Sequence, residues 1–230
     1  MSASLRTSLA LVALSVAALA TALFLGPVVL ADPFAPDEAT RTIVWDIRLP
    51  RALTAWLAGA ALGLSGAALQ GLLRNPLADS GVLGLSGFAA LGAVIAFAFG
   101  FASFAPALSV VFALAAAALV TTLGWASRGP ASLDLIGDGL SSFAGGLIAL
   151  ALNLAPNPGA LSDLVNWTLG SVEGRSLEHV ALVGAFLVIG AILIFSAARG
   201  LQALTLGEEA AAAVGANLSS TRALVVLGAA

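Results

Sequence analysis

Residues 52–73 carry no charged side chain, and a helix needs about 20 such apolar residues to cross the hydrocarbon core of a bilayer. The pattern recurs. Uncharged windows of roughly spanning length cover 9–30, 81–104, 107–126, 139–155 and 180–198, and another starts near Ala223. With 60% hydrophobic and 9% charged residues among 230, and a mean hydropathy of +1.06, the chain cannot clothe a water-soluble domain, whose charged share is about 25%. Lipid is the solvent it fits. The runs are apolar all round, whereas strands of a membrane barrel alternate apolar and polar residues. The expected fold is all-α: a polytopic transmembrane helix bundle with six complete spans plus the start of a seventh. That seventh stops at Ala230, so the chain reads as C-terminally truncated.

The first window imitates a secretory signal, with Arg6, an apolar run and Val28-Val29-Leu30-Ala31 before Asp32. Residues 8–25 already exceed the about 7–15 residues of a signal's apolar region, and the rest of the chain is equally apolar, so a retained first span is expected. All nine basic residues are arginines, and they lie in or beside the connections, since an arginine at mid-span costs about 2.5–3.5 kcal/mol. Long connections cover 32–51 and 156–179; shorter turns cover 74–80 and 127–138. A cytoplasmic N-terminus places the long ones outside. It leaves Arg6, Arg74, Arg128, Arg199 and Arg222 inside against Arg41, Arg48, Arg51 and Arg175 outside, a weak bias. A net charge of −3 gives no argument for nucleic acid. The absence of cysteine excludes disulfides and thiolate chemistry.

Within 52–73 the small residues are ordered. Gly59, Gly63, Ala67 and Gly71 recur at i, i+4, and Gly59, Gly63, Gly66 and Gln70 form an overlapping stripe, which lets another helix backbone approach closely. At the end of the span Pro76 disfavours helical geometry at Asn75, and Asp79 or Ser80 is placed to cap the next helix. At its start Arg48 and Arg51 stand three apart. On residues alone they are either interfacial anchors that snorkel or forks for a partner's carboxylates. His179, beside Glu178, lacks a second imidazole or thiolate for a metal site. Trp167, in Asn166-Trp167-Thr168, suits the aromatic belt at a membrane surface. Gly84 and Gly87 lack the third glycine and lysine of a phosphate loop.

Taken together, RLPR, GAALGLSGAALQ, RNPLADSGVLGLSG and the late LGEEAAAAVG resemble the FecCD-type permeases of ABC importers, the membrane subunits for iron–siderophore, haem or cobalamin. The WTLGS run from Trp167 to Ser171 resembles an external segment of that family. The resemblance implies a single permease domain over 1–230, two-thirds of a family-length chain of about ten spans, in a bacterial inner membrane. It implies a second permease subunit, cytoplasmic ABC ATPases and an external binding protein. ATP is then used by the partner, no cofactor or metal is bound by this chain, and the chain is not an enzyme. It further implies that Arg48 and Arg51 receive the binding protein and that Asn75 and Leu77 contribute to a cytoplasmic gate. Gly207, Glu208, Glu209 and Gly215, within 199–217, would couple to the ATPases. On the residues themselves, Glu208 and Glu209 suit the positive end of a short helix that Gly215 closes. Two rivals remain at this point: an ion-coupled secondary transporter, which needs a coupling site that these nearly charge-free spans do not offer, and a non-transporting membrane fragment or assembly module.

Overall fold

A computed structural model describes residues 3–26, 37–126, 130–156 and 159–230. Their regular structure is helical throughout: α1 (Ala3–Phe24), α2 (Glu38–Arg41), a π-helical segment Thr42–Arg48, α3 (Leu49–Leu73), α4 (Leu85–Ala98), a 3-10 turn Ala102–Phe104, α5 (Ala105–Ala126), α6 (Pro130–Leu154), α7 (Ala160–Leu169), α8 (Leu177–Ser196), α9 (Ala198–Leu204), α10 (Glu208–Ala213) and α11 (Leu218–Ala229). Two compact units are built from them: Met1–Leu62 with Ser171–Leu187, and Gly63–Gly170 with Val188–Ala230. The cleavage-like Val28 to Ala31 and the tail of the expected 9–30 span lie outside the described residues.

In the first unit the expected long connection over 32–51 is largely helix. Asp37 accepts a hydrogen bond from the Thr40 N–H at 2.8 Å, which opens α2 and holds the Asp37 carboxyl below the ordinary carboxylate range. Pro50 would normally break the helix, because it has no N–H and its ring crowds the carbonyl one turn back. The backbone widens instead: over Thr42–Arg48 it is π-helical, and the Leu49 N–H reaches back five residues to the Val44 carbonyl. Helix therefore continues from Glu38 to Leu73, 36 residues or about 54 Å, more than the about 30 Å of a bilayer core.

The second unit is organised around α4, in which Ala93, Val94, Ala96 and Ala98 are fully buried. Its neighbours come very close. A Cβ on Gly92 would lie 2.5 Å from the Leu108 carbonyl oxygen of α5, and one on Gly137 of α6 would lie 2.1 Å from that of Val82. The core extends through Leu69, Leu83, Val120, Val225 and Val226.

The expected 81–104 span is corrected by this packing, since α4 has only 14 residues, about 21 Å. Asp79 does not cap it. Its Oδ1 accepts from the N–H groups of Gly81 and Val82, folding a turn that ends at Gly84, whose φ of 76° suits glycine. At the other end the Phe101 N–H bonds the Ala96 carbonyl, closing the helix early. Among the described residues, five helices are long and apolar enough to cross a membrane: Leu5–Phe24, Glu38–Leu73, Ala102–Gly124, Leu135–Leu154 and Leu177–Ser196. The turn expected over 127–138 gives way to α6 from Pro130, a residue suited to the first helical position. α11 likewise starts at Leu218, ahead of Ala223, because the Asn217 side chain accepts from the Ser220 N–H at 3.0 Å.

These approaches fix the sign of two substitutions. Gly137→Ala should destabilise the protein by about 1–3 kcal/mol through overpacking. Gly63→Ala, with nothing within 4 Å of its Cβ, should be neutral or gain up to about 1 kcal/mol from helix propensity. Thermal unfolding of both variants in detergent checks the pair.

Candidate functional site

The two arginines of RLPR have different environments. Arg48 is buried, at 8% exposure. Its Nη1 donates to the carbonyl oxygens of Leu23 at 2.8 Å and Phe24 at 3.0 Å. Those are the final carbonyls of α1, at the negative end of the helix. Gly26 makes room: a Cβ there would meet Arg48 Nη2 at 2.7 Å. Arg51 instead faces outward. Its side chain is 44% exposed and pairs loosely with Glu173, 81% exposed, at 3.7 Å.

The turn after α3 is tightly specified. Arg74 takes a left-handed φ of 51°, and the Asn75 N–H reaches back to the Gln70 carbonyl at 3.2 Å. Asn75 Oδ1 then accepts from the Leu77 N–H at 3.0 Å. This local turn sets Asn75 and presents Leu77, 82% exposed, while neighbouring Ala78 is buried. The Ser141 hydroxyl of α6 donates to the Gly81 carbonyl at 2.9 Å, tying the turn to the core.

Gly207, with φ 96°, precedes α10, and Gly215, with φ 83°, follows it. The helix between them carries Glu208 and Glu209 in its first turn, where a helix favours negative charge. Glu208 Oε1 accepts a hydrogen bond from Arg222 Nη2 of α11, with side-chain exposures of 14% for Arg222 and 25% for Glu208. Leu206, Glu209 and Val214 are exposed around it. A cleft of about 440 Å³ lined by Arg199, Gly215, Asn217 and Ser220 lies alongside. Arg222 was not among the residues that motif and spacing single out.

The small-residue stripe stays open. A Cβ on Gly59, Gly63 or Gly66 would meet nothing within 4 Å among the described residues, and Gly59, Gly63, Ala67, Gln70 and Gly71 are exposed. Gly71, at the end of the stripe, comes within van der Waals contact of Leu201 Cδ2 of α9, at 3.9 Å. Close approaches fall at Gly92, Gly137 and Gly200, and between Gly190 of α8 and Gly228 of α11. Gly84 and Gly87 face Leu140 and Ala144 of α6. His179 Nδ1 lies 2.9 Å from the Ser176 hydroxyl, and no cluster of three metal-binding side chains occurs among the described residues.

These features define a multi-pass helical membrane protein with polar turns built between its spans. Residues 5–230 match the FecCD transport family, and the chain belongs to that family, one of transport permeases. It is 38% identical over 200 residues to the ABC transporter permease protein YvrB of Bacillus subtilis, covering 83% of this chain and 56% of the relative. Identity to the ferric enterobactin transport permease FepD of Escherichia coli is 36% over 197 residues, covering 83% and 58%. The vitamin B12 import permease BtuC of Yersinia enterocolitica is 34% identical over 198 residues, covering 83% and 58%. The chain thus spans less than two thirds of these relatives. A solved metal-chelate type ABC transporter in an inward-facing conformation matches with a TM-score of 0.86 and 30% identity, over 97% of this chain and 72% of that one.

The contrast between the arginines is measurable as stability. Arg48→Gln should cost about 1.5–3 kcal/mol, since charged hydrogen bonds to the last carbonyls of α1 are lost, whereas Arg51→Gln should cost less than about 1 kcal/mol, as for an exposed pair. Thermal unfolding of the two variants in detergent gives the comparison, and equal losses would contradict it.

Proposed function

We propose that this chain forms the membrane-spanning permease subunit of a binding-protein-dependent ABC importer, with iron–siderophore, haem or cobalamin-type cargo. The observation that carries this reading is the match to the FecCD family over residues 5–230, supported by relatives named for ferric enterobactin and vitamin B12. The chain is one permease domain of a bacterial inner membrane, with a cytoplasmic N-terminus. A sixth crossing is made by α4 with its flanking turns, tolerable because non-helical backbone at membrane depth survives when buried in protein, and α11 begins a seventh. ATP is bound and hydrolysed by the cytoplasmic partner, and a second permease subunit completes the pathway. With the ionisable groups of the spans kept toward their ends, cargo is held weakly, so a chute that receives it also releases it.

The arginine pair receives the external binding protein, with its two members dividing the work. Arg51 presents the fork, and Glu173 gives way to a partner's carboxylate because an exposed pair is worth little. Arg48 seats the segment from which Arg51 projects. Asn75 and Leu77 form part of the cytoplasmic gate, the first shaping the turn and the second meeting the opposing wall. The 199–217 segment carries the motion of the ATPases, with Gly207, Glu208, Glu209 and Gly215 defining its short helix. A helix that short is marginal alone, and a cleft on an ATPase supplies what it needs.

Reconstitution in proteoliposomes with a Walker-motif ATPase and secreted binding protein encoded beside it tests the reading. Cargo uptake should require ATP hydrolysis, and Arg51→Glu should weaken binding-protein association by about tenfold or more through like-charge contact. Uptake that survives ATP depletion but collapses with an ion gradient would contradict the importer.

A further inference from the structure

Three observations meet at α10. The helix has six residues, glycines with left-handed φ stand at both ends, and its backbone is held by local turns alone, the Gly207 N–H to the Leu204 carbonyl and the Ala216 N–H to that of Ala211. Its neighbour α11 is fixed firmly. Val225 and Val226 are fully buried, and α9 passes so close that a Cβ on Gly200 would fall 1.9 Å from Thr221 Oγ1. Between the two stands a charged contact: Arg222 Nη2 of α11 donates to Glu208 Oε1 of α10, with side-chain exposures of only 14% and 25%. Two charges withdrawn from water attract each other more strongly than a surface pair does, and removing one partner leaves the other charge poorly solvated.

We propose that the Arg222–Glu208 pair is the pin that carries displacement of α10 into α11, which makes Arg222 a positioning residue for coupling. The inference deepens the transport reading and rests on it for its functional half. Packing alone serves α10 poorly as a transmitter, because alanines form most of its surface and Ala211 is its buried member. The pin supplies a directional link where hydrophobic contact is thin. Only one Nη2–Oε1 contact is made, so a lysine ammonium at 222 retains the charge that the link needs, whereas glutamine or methionine does not.

The protein contains no cysteine, so spin labels at Ala212→Cys and Ser219→Cys, both exposed, report the distance between α10 and α11 in the full chain in lipid nanodiscs. A narrow distribution is expected for the parent and Arg222→Lys. Arg222→Gln should broaden it, and Arg222→Met, which keeps the packing of the stem, should do the same. Equal widths in all four proteins would overturn the pin. In the reconstituted importer, Arg222→Gln should lower cargo moved per ATP hydrolysed by about fivefold or more, and Arg222→Lys should restore it. An unchanged ratio, with α10 loosened, would overturn transmission. ATP-independent uptake by the unsubstituted chain would instead overturn the transport reading, while the spin-label comparison decides the α10–α11 link by itself.

Discussion

In hydrocarbon, every backbone N–H and C=O must find its partner inside the protein, and the rest of this structure follows from how that requirement is met where helices stop. The spans satisfy themselves. Their ends do not, and each has a specific solution. Arg48 occupies the last carbonyls of α1, Asp79 gathers the amides beyond α3, and Asn217 caps α11. Where α4 ends early, the surrounding unit covers it, and Ala96 and Ala98 are fully buried. Polar residues are scarce, and those at these ends are used for termination.

That division explains what could be read in advance. The all-helical membrane class was legible because length without charge admits few other structures. α10 was legible too, since two glutamates, four alanines and Gly215 combine three local preferences over a few positions. Boundaries were harder. The 32–51 stretch reads as a connection, but helix runs through most of it and a π-helical segment accommodates Pro50. The 81–104 window reads as one span because glycine is invisible to a charge count, yet Gly84 and Gly100 take left-handed conformations and leave a shorter helix between them. The stripe from Gly59 to Gln70 has the spacing of a packing face, but spacing does not say which partner fills it.

Long-range pairs were not legible at all. Arg48 meets a carbonyl 24 residues earlier, and Arg222 meets Glu208 14 residues earlier; no periodicity joins either pair. Arg222 looks from sequence like a boundary charge before an apolar run. Folding makes it the link between two helices. RLPR similarly presents two arginines as equivalents, while burial separates one that completes a helix from one that remains available to a partner.

On the proposed reading, α10 is the place where an ATP-hydrolysing partner acts on the membrane helix bundle. Glu209→Cys, exposed and unique in a chain without cysteine, tests this most directly through a short photoactivatable cross-linker in native membranes. The account predicts one dominant adduct, with the ATP-binding subunit. Adducts only with lipid, or with a protein that binds no nucleotide, would contradict it.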